Sequence, residues 1–437
     1  MTSISDSITL QFRFSGPVNR LSNSDRNLLF NRSATSDSDV SDTVRSIIGQ
    51  VRRRGDDALM EMARSFDRVS LEFLEVPPQK VKQSLDIISG SLEAALRRSA
   101  RNIERVHSFA RPEAATIEVE PGITVTRRPD PLARVGVYAP GGAAAYASSV
   151  LMAAIPARVA GVGEIVLCSP PSRNGLPASE VLAAAAIAGV NRIFAVGGAG
   201  AIAAMAIGTE TIPRVDRVVG PGNAYVAEAK VQLSAEVGID SPAGPSELLV
   251  IADSSANPDI IAREVIAQAE HDVRAVVLVI AVGEDVAARI SDSIVTSIDQ
   301  QSRAETVRQA LSTRGGVLSV DSVGEAINAA NSFAPEHLLI ATYDAPKVAQ
   351  CIRSAGSVFI GETSSVAFGD YMTGANHVLP TGGMTRWYSG LATLDFVRWT
   401  TLQSVTREAA ERLAADVATF ADAEGLPAHA STARAWL

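Results

Sequence analysis

Two kinds of hydrophobic pattern divide the chain. Up to about residue 110, apolar residues recur at helical spacing. Ser41–Arg68 opens on a Ser/Asp cap and places Val44, Ile47, Ile48 and Val51 on one face, and Gln79–Ala110 continues helical. From Arg134 the apolar residues arrive instead as short unbroken runs. RVGVYAPGG (Arg134–Gly142), EIVLCSPP (Glu164–Pro171), RIFAVGG (Arg192–Gly198) and DRVVGPGN (Asp216–Asn223) alternate with helices over Ser148–Ala160, Ser179–Ala188, Ala199–Ile207 and Ala224 to about Val237. The alternation resumes with ELLVIAD (Glu247–Asp253), VVLVIAV, GVLSV, HLLIAT and SVFIG (Ser357–Gly361). Strands that are apolar at every position are buried on both faces, as in parallel sheets covered by helices. The pattern predicts an α/β fold of two Rossmann-like parallel-sheet units, one inserted in the other, with a small N-terminal arm and a helical C-terminal segment. The expected boundaries are an arm at 1–35, a main α/β domain from 36–137 plus 247–391, an inserted α/β domain at 138–246, and a C-terminal segment at 392–437. The arm is polar, with one strand-like piece at Ile8–Phe14, and reads as an extension that docks on the body or on a partner chain. The final segment, helical from Thr393, is Ala-rich and broken at Gly425-Leu426-Pro427.

Composition narrows the function. The 437 residues are 46% hydrophobic and 20% charged, the make-up of a globular protein with a large core. A net charge of −9 speaks against a nucleic-acid partner, which wants a basic face, and against bulk attraction to anionic lipid. No apolar run approaches a membrane span, and MTSISDSITL lacks the basic and apolar regions of a signal peptide. Only Cys168 and Cys351 occur, both in apolar surroundings, which argues for a reducing compartment and a cytoplasmic location.

Three turns lie where strands end and helices begin: Pro140-Gly141-Gly142, Gly197-Gly198-Ala199-Gly200 and Gly220-Pro221-Gly222-Asn223. Glycine lets backbone approach a phosphate, and a helix N-terminus supplies N–H donors there. Gly198–Ala203 also fits G-x-G-x-x-A, although tight α/β packing needs such glycines anyway and no acidic residue follows at the usual distance after a second strand. Together the turns point to a nucleotide site.

Other chemistry centres on IAREVIAQAEHD (Ile261–Asp272), an amphipathic helix through Ile261, Val265, Ile266 and Ala269. Gln268 and His271 are three apart, on one helix face, where an amide oxygen and an imidazole can hold a divalent cation. Of five histidines, His107 reads as a surface or helix-end residue. The others stand in Glu270-His271, Glu336-His337, Asn376-His377 and Ala428-His429, and Asp370 precedes His377 in the loop FGDYMTGANHVLP. Each alone reads as a satisfied core or surface group. Four beside loops and element ends suggest a metal or proton-transfer site, and Glu336-His337 could divide two proton tasks.

The segments RVGVYAPGG, GPGNAYVAEAK, SPAGPSELLVIAD, QAEHD, APEHLLI, GSVFIG, GDYMTGANHVLPTGG and EGLPAH resemble, in order, those of the histidinol dehydrogenase family. The resemblance runs from about residue 40 to 430. It implies oxidation of the amino alcohol histidinol to its aldehyde and then to the acid, with NAD used twice and one Zn2+ per subunit. Carried over by position, it implies zinc ligands at Gln268, His271, Asp370 and His429 and an acid/base pair at Glu336 and His337. It likewise implies substrate contacts at Ser246, His377 and Glu424 as well as at the metal ligands and Glu336, and NAD contacts at Tyr138 and Asn223. It implies a homodimer in which the C-terminal segment crosses, so that His429 and Glu424 complete the other subunit's site. The family's usual glutamine in the second glycine turn is Gly200 here, which would remove one cofactor hydrogen bond, about 1 kcal/mol. Two rivals remain on sequence grounds: a zinc dehydrogenase of the same fold for another alcohol such as a sulfonated diol, against which Glu424 argues, and a non-catalytic metal-binding protein, against which Glu336-His337 argues.

Overall fold

The computed structural model describes residues 10–32, 38–141 and 145–437. The start of the strand-like piece at Ile8 and the turn residue Gly142 lie outside the described residues. The chain opens with β1 (Phe14–Pro17) and α1 (Asn23–Phe30), then α2 (Ser38–Met62), α3 (Pro78–Ile87) and α4 (Gly90–Phe109). A hairpin of β2 (Ala115–Glu120) and β3 (Ile123–Pro131) leads to β4 (Arg134–Tyr138), α5 (Ala147–Ala160), β5 (Glu164–Ser169), α6 (Ser179–Ala188), β6 (Arg192–Ala195), α7 (Gly198–Ile207), β7 (Arg217–Val219), α8 (Ala224–Leu233) and β8 (Gly238–Ile239). Next come β9 (Glu247–Ala252), α9 (Pro258–Ala269), β10 (Val276–Val282), α10 (Glu284–Ile298), α11 (Ala304–Arg314), β11 (Gly316–Val320), α12 (Val323–Phe333), β12 (His337–Ala341), α13 (Ala345–Gln350), β13 (Ser357–Ile360) and α14 (Val366–Tyr371). The tail is β14 (Val397–Val405), α15 (Arg407–Ala423) and α16 (Pro427–Arg434).

The apolar runs become two parallel sheets. One is five-stranded, ordered β6-β5-β4-β7-β8, and the other six-stranded, ordered β1-β11-β10-β9-β12-β13. The fold class is therefore the one the pattern predicts. The arm docks on the body: β1 pairs parallel with β11 as an edge strand.

Three features differ from expectation. Val397–Val405 is a strand, not a helix, and with β3 and β2 it forms an antiparallel sheet. Most of its residues are exposed, so burial left little pattern in the sequence to announce it. Second, the helices of 38–109, grouped on sequence with 247–391, pack on the five-stranded sheet's unit. Val44, Ile47, Ile48 and Val51 of α2 share a core with α7 and α8, and Leu96, Ala100 and Ile103 of α4 share one with α5 and α6. Third, His107 does end a helix but is buried, with Thr393 donating to its carbonyl.

Helix α2 is bent at Gly55, whose φ of 49° suits glycine and where a Cβ would collide with the Glu210 carboxylate. That carboxylate accepts the Asp56 N–H (2.8 Å), and Thr209 Oγ1 donates to Asp56 Oδ1 (2.6 Å). The bend thus ties the second half of α2 to the loop after α7. A π-helical turn, Ala63–Asp67, ends the run at Arg68, itself left-handed with φ of 59°.

Candidate active site

Ala334, left-handed at φ of 54°, stops α12 and turns the chain through Pro335 into β12. Glu336 and His337 thus stand at the amino end of a central strand between β9 and β13, and both are buried. His337 Nδ1 lies 3.1 Å from the Glu247 carbonyl, so an Nδ1–H donates to it and Nε2 is the nitrogen left for chemistry. Among the described residues, Nε2 is buried with no hydrogen-bond partner, 3.6 Å from Asp370 Oδ1. Glu336 Oε2 accepts the Glu247 N–H (2.7 Å) and sits 3.5 Å from His337 Nδ1. Burial would lower the His337 pKa, but the Glu336 and Asp370 carboxylates outweigh it and push it up to about 10.

Glu247 supports both residues through its backbone, and its side chain is fixed in turn. The partly buried Arg32 guanidinium forks onto its two oxygens from Nε and Nη2 (both 3.0 Å), and the Gly382 N–H donates to Oε1 (2.9 Å). Arg32 also lies over the Phe333 ring, 3.4 Å from its centroid. Sequence reading missed this pair. The available signal was an acidic residue heading the otherwise apolar ELLVIA, since a carboxylate in a buried strand needs a partner.

The candidate metal ligands fall in two places. Helix α9 stops at Ala269, so His271 is not on its face; it follows in the turn, with its N–H 3.4 Å from the Gln268 carbonyl. Gln268 is buried and His271 exposed. Glu264, one turn before Gln268, accepts the Val366 N–H (3.1 Å), and Asp370 follows Val366 by one turn of α14. Asp370 therefore comes to the side of α9 that carries Gln268. Burial opposes its ionisation, but His337, His377 and His271 hold its carboxyl below the usual range. His429 and Glu424 are elsewhere: both are exposed on the α15–α16 hairpin, and His429 lines a groove with Thr406, Leu413 and Trp436. Among the described residues no three His, Cys, Asp or Glu side chains are grouped to hold a metal ion. Gly425 (φ 73°) and Pro427 break α15 from α16, but Pro427 opens the new helix and leaves His429 inside it.

The His377 Nδ1–H donates to the Asp370 carbonyl (2.9 Å), and Nε2 is 3.5 Å from Ser149 Oγ; burial keeps its pKa low. Asn376 Nδ2 donates to the Met152 carbonyl (2.7 Å). This loop, from the six-stranded sheet's side, therefore docks on the first turns of α5, which follows β4. Ser246, half-buried, immediately precedes β9. Amino ends of one sheet thus meet carboxyl ends of the other, whereas the rule of ligands beyond carboxyl ends describes only the second.

At those carboxyl ends a cleft of about 420 Å3 is lined by Tyr138, Gly197, Gly198, Gly200, Asn223 and residues of α2. Buried Tyr138 accepts the Gly198 N–H at its hydroxyl (3.0 Å), and burial raises its pKa to about 12, so its O–H stays a donor. Asn223 caps α8, its Oδ1 accepting the Tyr225 and Val226 N–H groups at 3.1 and 3.2 Å, which leaves its amide N–H2 for a ligand. The turn before it is anchored from below: the Gly220 N–H donates to Asp240 (2.7 Å), and buried Lys230 bonds both the Gly220 carbonyl and Asp240. Gly200 is packed from above, where a Cβ would stand 3.0 Å from Met62 Sδ and 3.3 Å from Leu59 Cδ2. Helix α2 thus occupies the space a larger residue would take.

Comparison with known proteins adds three findings. The family described as histidinol dehydrogenase matches residues 30–437. A histidinol dehydrogenase of Methanothermobacter thermautotrophicus is 44% identical over 396 residues, 91% of this chain and 93% of that one; one of Shigella dysenteriae is 41% identical over 407 residues, 92% and 93%. The crystal structure of histidinol dehydrogenase from Elizabethkingia anophelis superposes with a TM-score of 0.91 at 34% identity, covering 97% of both chains.

Proposed function

Because the chain belongs to the histidinol dehydrogenase family, it oxidises histidinol, and we propose that it does so through the aldehyde to histidine with NAD as acceptor and one zinc ion per subunit. The observation that supports this most is the His337 imidazole, pinned by one nitrogen to the Glu247 carbonyl and free at the other, with two carboxylates beside it. The donor set suits zinc: an imidazole, a carboxylate and an amide oxygen from His271, Asp370 and Gln268, with no thiolate. One chain leaves the set incomplete, and His429 of a second copy is the proposed fourth ligand. Zinc would supply a fixed point for the substrate's amine and imidazole nitrogens, and NAD a hydride acceptor, once for each oxidation.

The chain's own residues do the proton work. His337 Nε2 takes the hydroxyl proton in the first oxidation. A positive charge at Asp370 would cancel one of the two carboxylate fields that hold the His337 proton, bringing the imidazole toward the neutral form a base needs. Glu336 then activates the water that attacks the aldehyde, and His337 serves again as the hydrate is oxidised. Ser246, His377 and the partner's Glu424 are the proposed substrate contacts, and Tyr138 and Asn223 the proposed cofactor contacts.

A homodimer suits what one copy leaves exposed. Phe420, Leu426 and Trp436 on α15–α16 stand open beside an apolar groove, over a hairpin core of only Ala418, Ala421, Ala430 and Ala433. Among the described residues no helix is long and apolar enough to cross a membrane. With two free cysteines this suits a cytoplasmic enzyme.

The test is the yield of NADH per histidinol consumed, with zinc content measured on the same preparation. About two NADH per histidinol and about one zinc per chain are expected. One NADH, with aldehyde accumulating, would refute the second oxidation. Glu336→Gln should slow oxidation of added aldehyde more than of alcohol, and His337→Asn should abolish both.

A further inference from the structure

Among the described residues, one acidic side chain lining the cleft at the glycine turns has no hydrogen-bond or ion-pair partner. Asp67 is the last residue of the π-helical turn after α2, half-buried, and lines the cleft with Tyr138, Gly198 and Asn223. Among the described residues no donor or cation engages its carboxylate, and burial alone raises its pKa. A partly desolvated carboxylate without a donor is unfavourable. The chain nevertheless places it there: the bend at Gly55 is tied down by the Glu210 and Thr209 contacts to Asp56, and Leu59 and Met62 of the following helical stretch pack beside Gly200 of the glycine turn. No Lys or Arg is among the described residues lining the cleft.

The unpaired acceptor asks for a ligand bearing hydroxyl donors. A parallel-sheet dinucleotide site ordinarily has such an acid, and it follows the second strand. No acid stands there in this chain, and Asp67 reaches the cleft from the opposite direction, ahead of the sheet in sequence. Its position also tells which end of a dinucleotide it would meet. Helices α5 and α6 cover one face of the five-stranded sheet, and α2, α7 and α8 cover the other. His377 touches Ser149 of α5, so the reacting end of the cofactor belongs on the α5 side. Asp67 stands on the α2 side, with the adenosine.

On the reading that the cleft holds NAD, we propose that the Asp67 carboxylate accepts hydrogen bonds from the hydroxyls of the adenosine ribose and thereby selects NAD over NADP. A 2′-phosphate would remove one donor and bring a like charge to a carboxylate in a cleft lined by no Lys or Arg among the described residues.

The experiment is calorimetric titration of the intact enzyme, without substrate, with NAD, NADP and NAD carrying 2′-deoxyadenosine. Wild-type protein should bind NAD about 100-fold more tightly than NADP, and Asp67→Asn should weaken NAD about tenfold or more while narrowing that ratio to within about tenfold. The deoxy analogue should bind wild-type protein about tenfold more weakly than NAD, yet match NAD on Asp67→Asn. Unchanged NAD affinity and an unchanged NAD-to-NADP ratio in Asp67→Asn would overturn the proposal. If that variant fails to fold, equal binding of NAD and its deoxy analogue to wild-type protein overturns it. A wild-type protein that binds neither dinucleotide refutes the cofactor reading itself, and this inference with it.

Discussion

His337 owes its geometry to a residue 90 positions away, Glu247, and Glu247 owes its own to Arg32, a further 215 positions back. Each link is a hydrogen bond wholly or partly buried, so the proposed base is only as well placed as the last guanidinium. Removing one member leaves the other charged and unpaired, which costs about 3–5 kcal/mol, whereas replacing both with apolar groups of similar shape costs much less. Arg32→Met and Glu247→Gln should each lower stability by about that amount in denaturant titration, and the double variant by less than the sum. Activity separates structure from positioning: in the double variant kcat should fall while the KM for histidinol changes little, because His337 loses its register and not its neighbours. Additive losses would show that the two residues act independently. This scale also shows how far the sequence could be read. Glu336-His337 is legible because the two chemistries are adjacent in the chain. Arg32–Glu247 is not, because nothing in a one-dimensional pattern joins a polar arm to the head of an apolar strand.

At the scale of elements, the parallel strands are legible because burial on both faces writes itself into every position. Strand β14 is not, because most of its side chains face solvent and an Ala-rich neighbour lends it a helical look. The end of α9 is hidden for a related reason: Glu270 and His271 continue the helical spacing, while the hydrogen-bonded helix stops two residues before His271. Packing between elements also explains Gly200. At the position where the family resemblance implies glutamine, α2 packs against α7, with Met62 and Leu59 within 3.0 and 3.3 Å of where a side chain would begin. Restoring glutamine alone should therefore overpack the contact by about 1–3 kcal/mol. Gly200→Gln together with Met62→Ala should recover most of that loss, measured as the shift in thermal unfolding. Equal destabilisation with and without Met62→Ala would mean that α2 is not what excludes the larger residue.

At the scale of the whole molecule, two sheets of opposite sense meet: carboxyl ends present the proposed nucleotide cleft, and amino ends present the proposed base, His337. The loop through Asn376 and His377 ties them together on α5. What one copy does not bring to this junction is His429 or Glu424, exposed on a hairpin whose own core is four alanines. So small a core cannot fix the hairpin's position alone, and the exposed aromatic groups beside it call for a covering surface. If that surface is a second copy, each site draws Gln268, His271 and Asp370 from one chain and His429 from the other. His271→Asn and His429→Asn proteins should then each be inactive and lose zinc. Unfolded together and refolded as a mixture, they should form about half heterodimers by random pairing. Each heterodimer holds one site with both substitutions and one with neither, so activity should return to about a quarter of wild type, with zinc returning in the same proportion. Heterodimers isolated by differential tags and found inactive would place His429 in its own chain's site, and the crossed arrangement would fall.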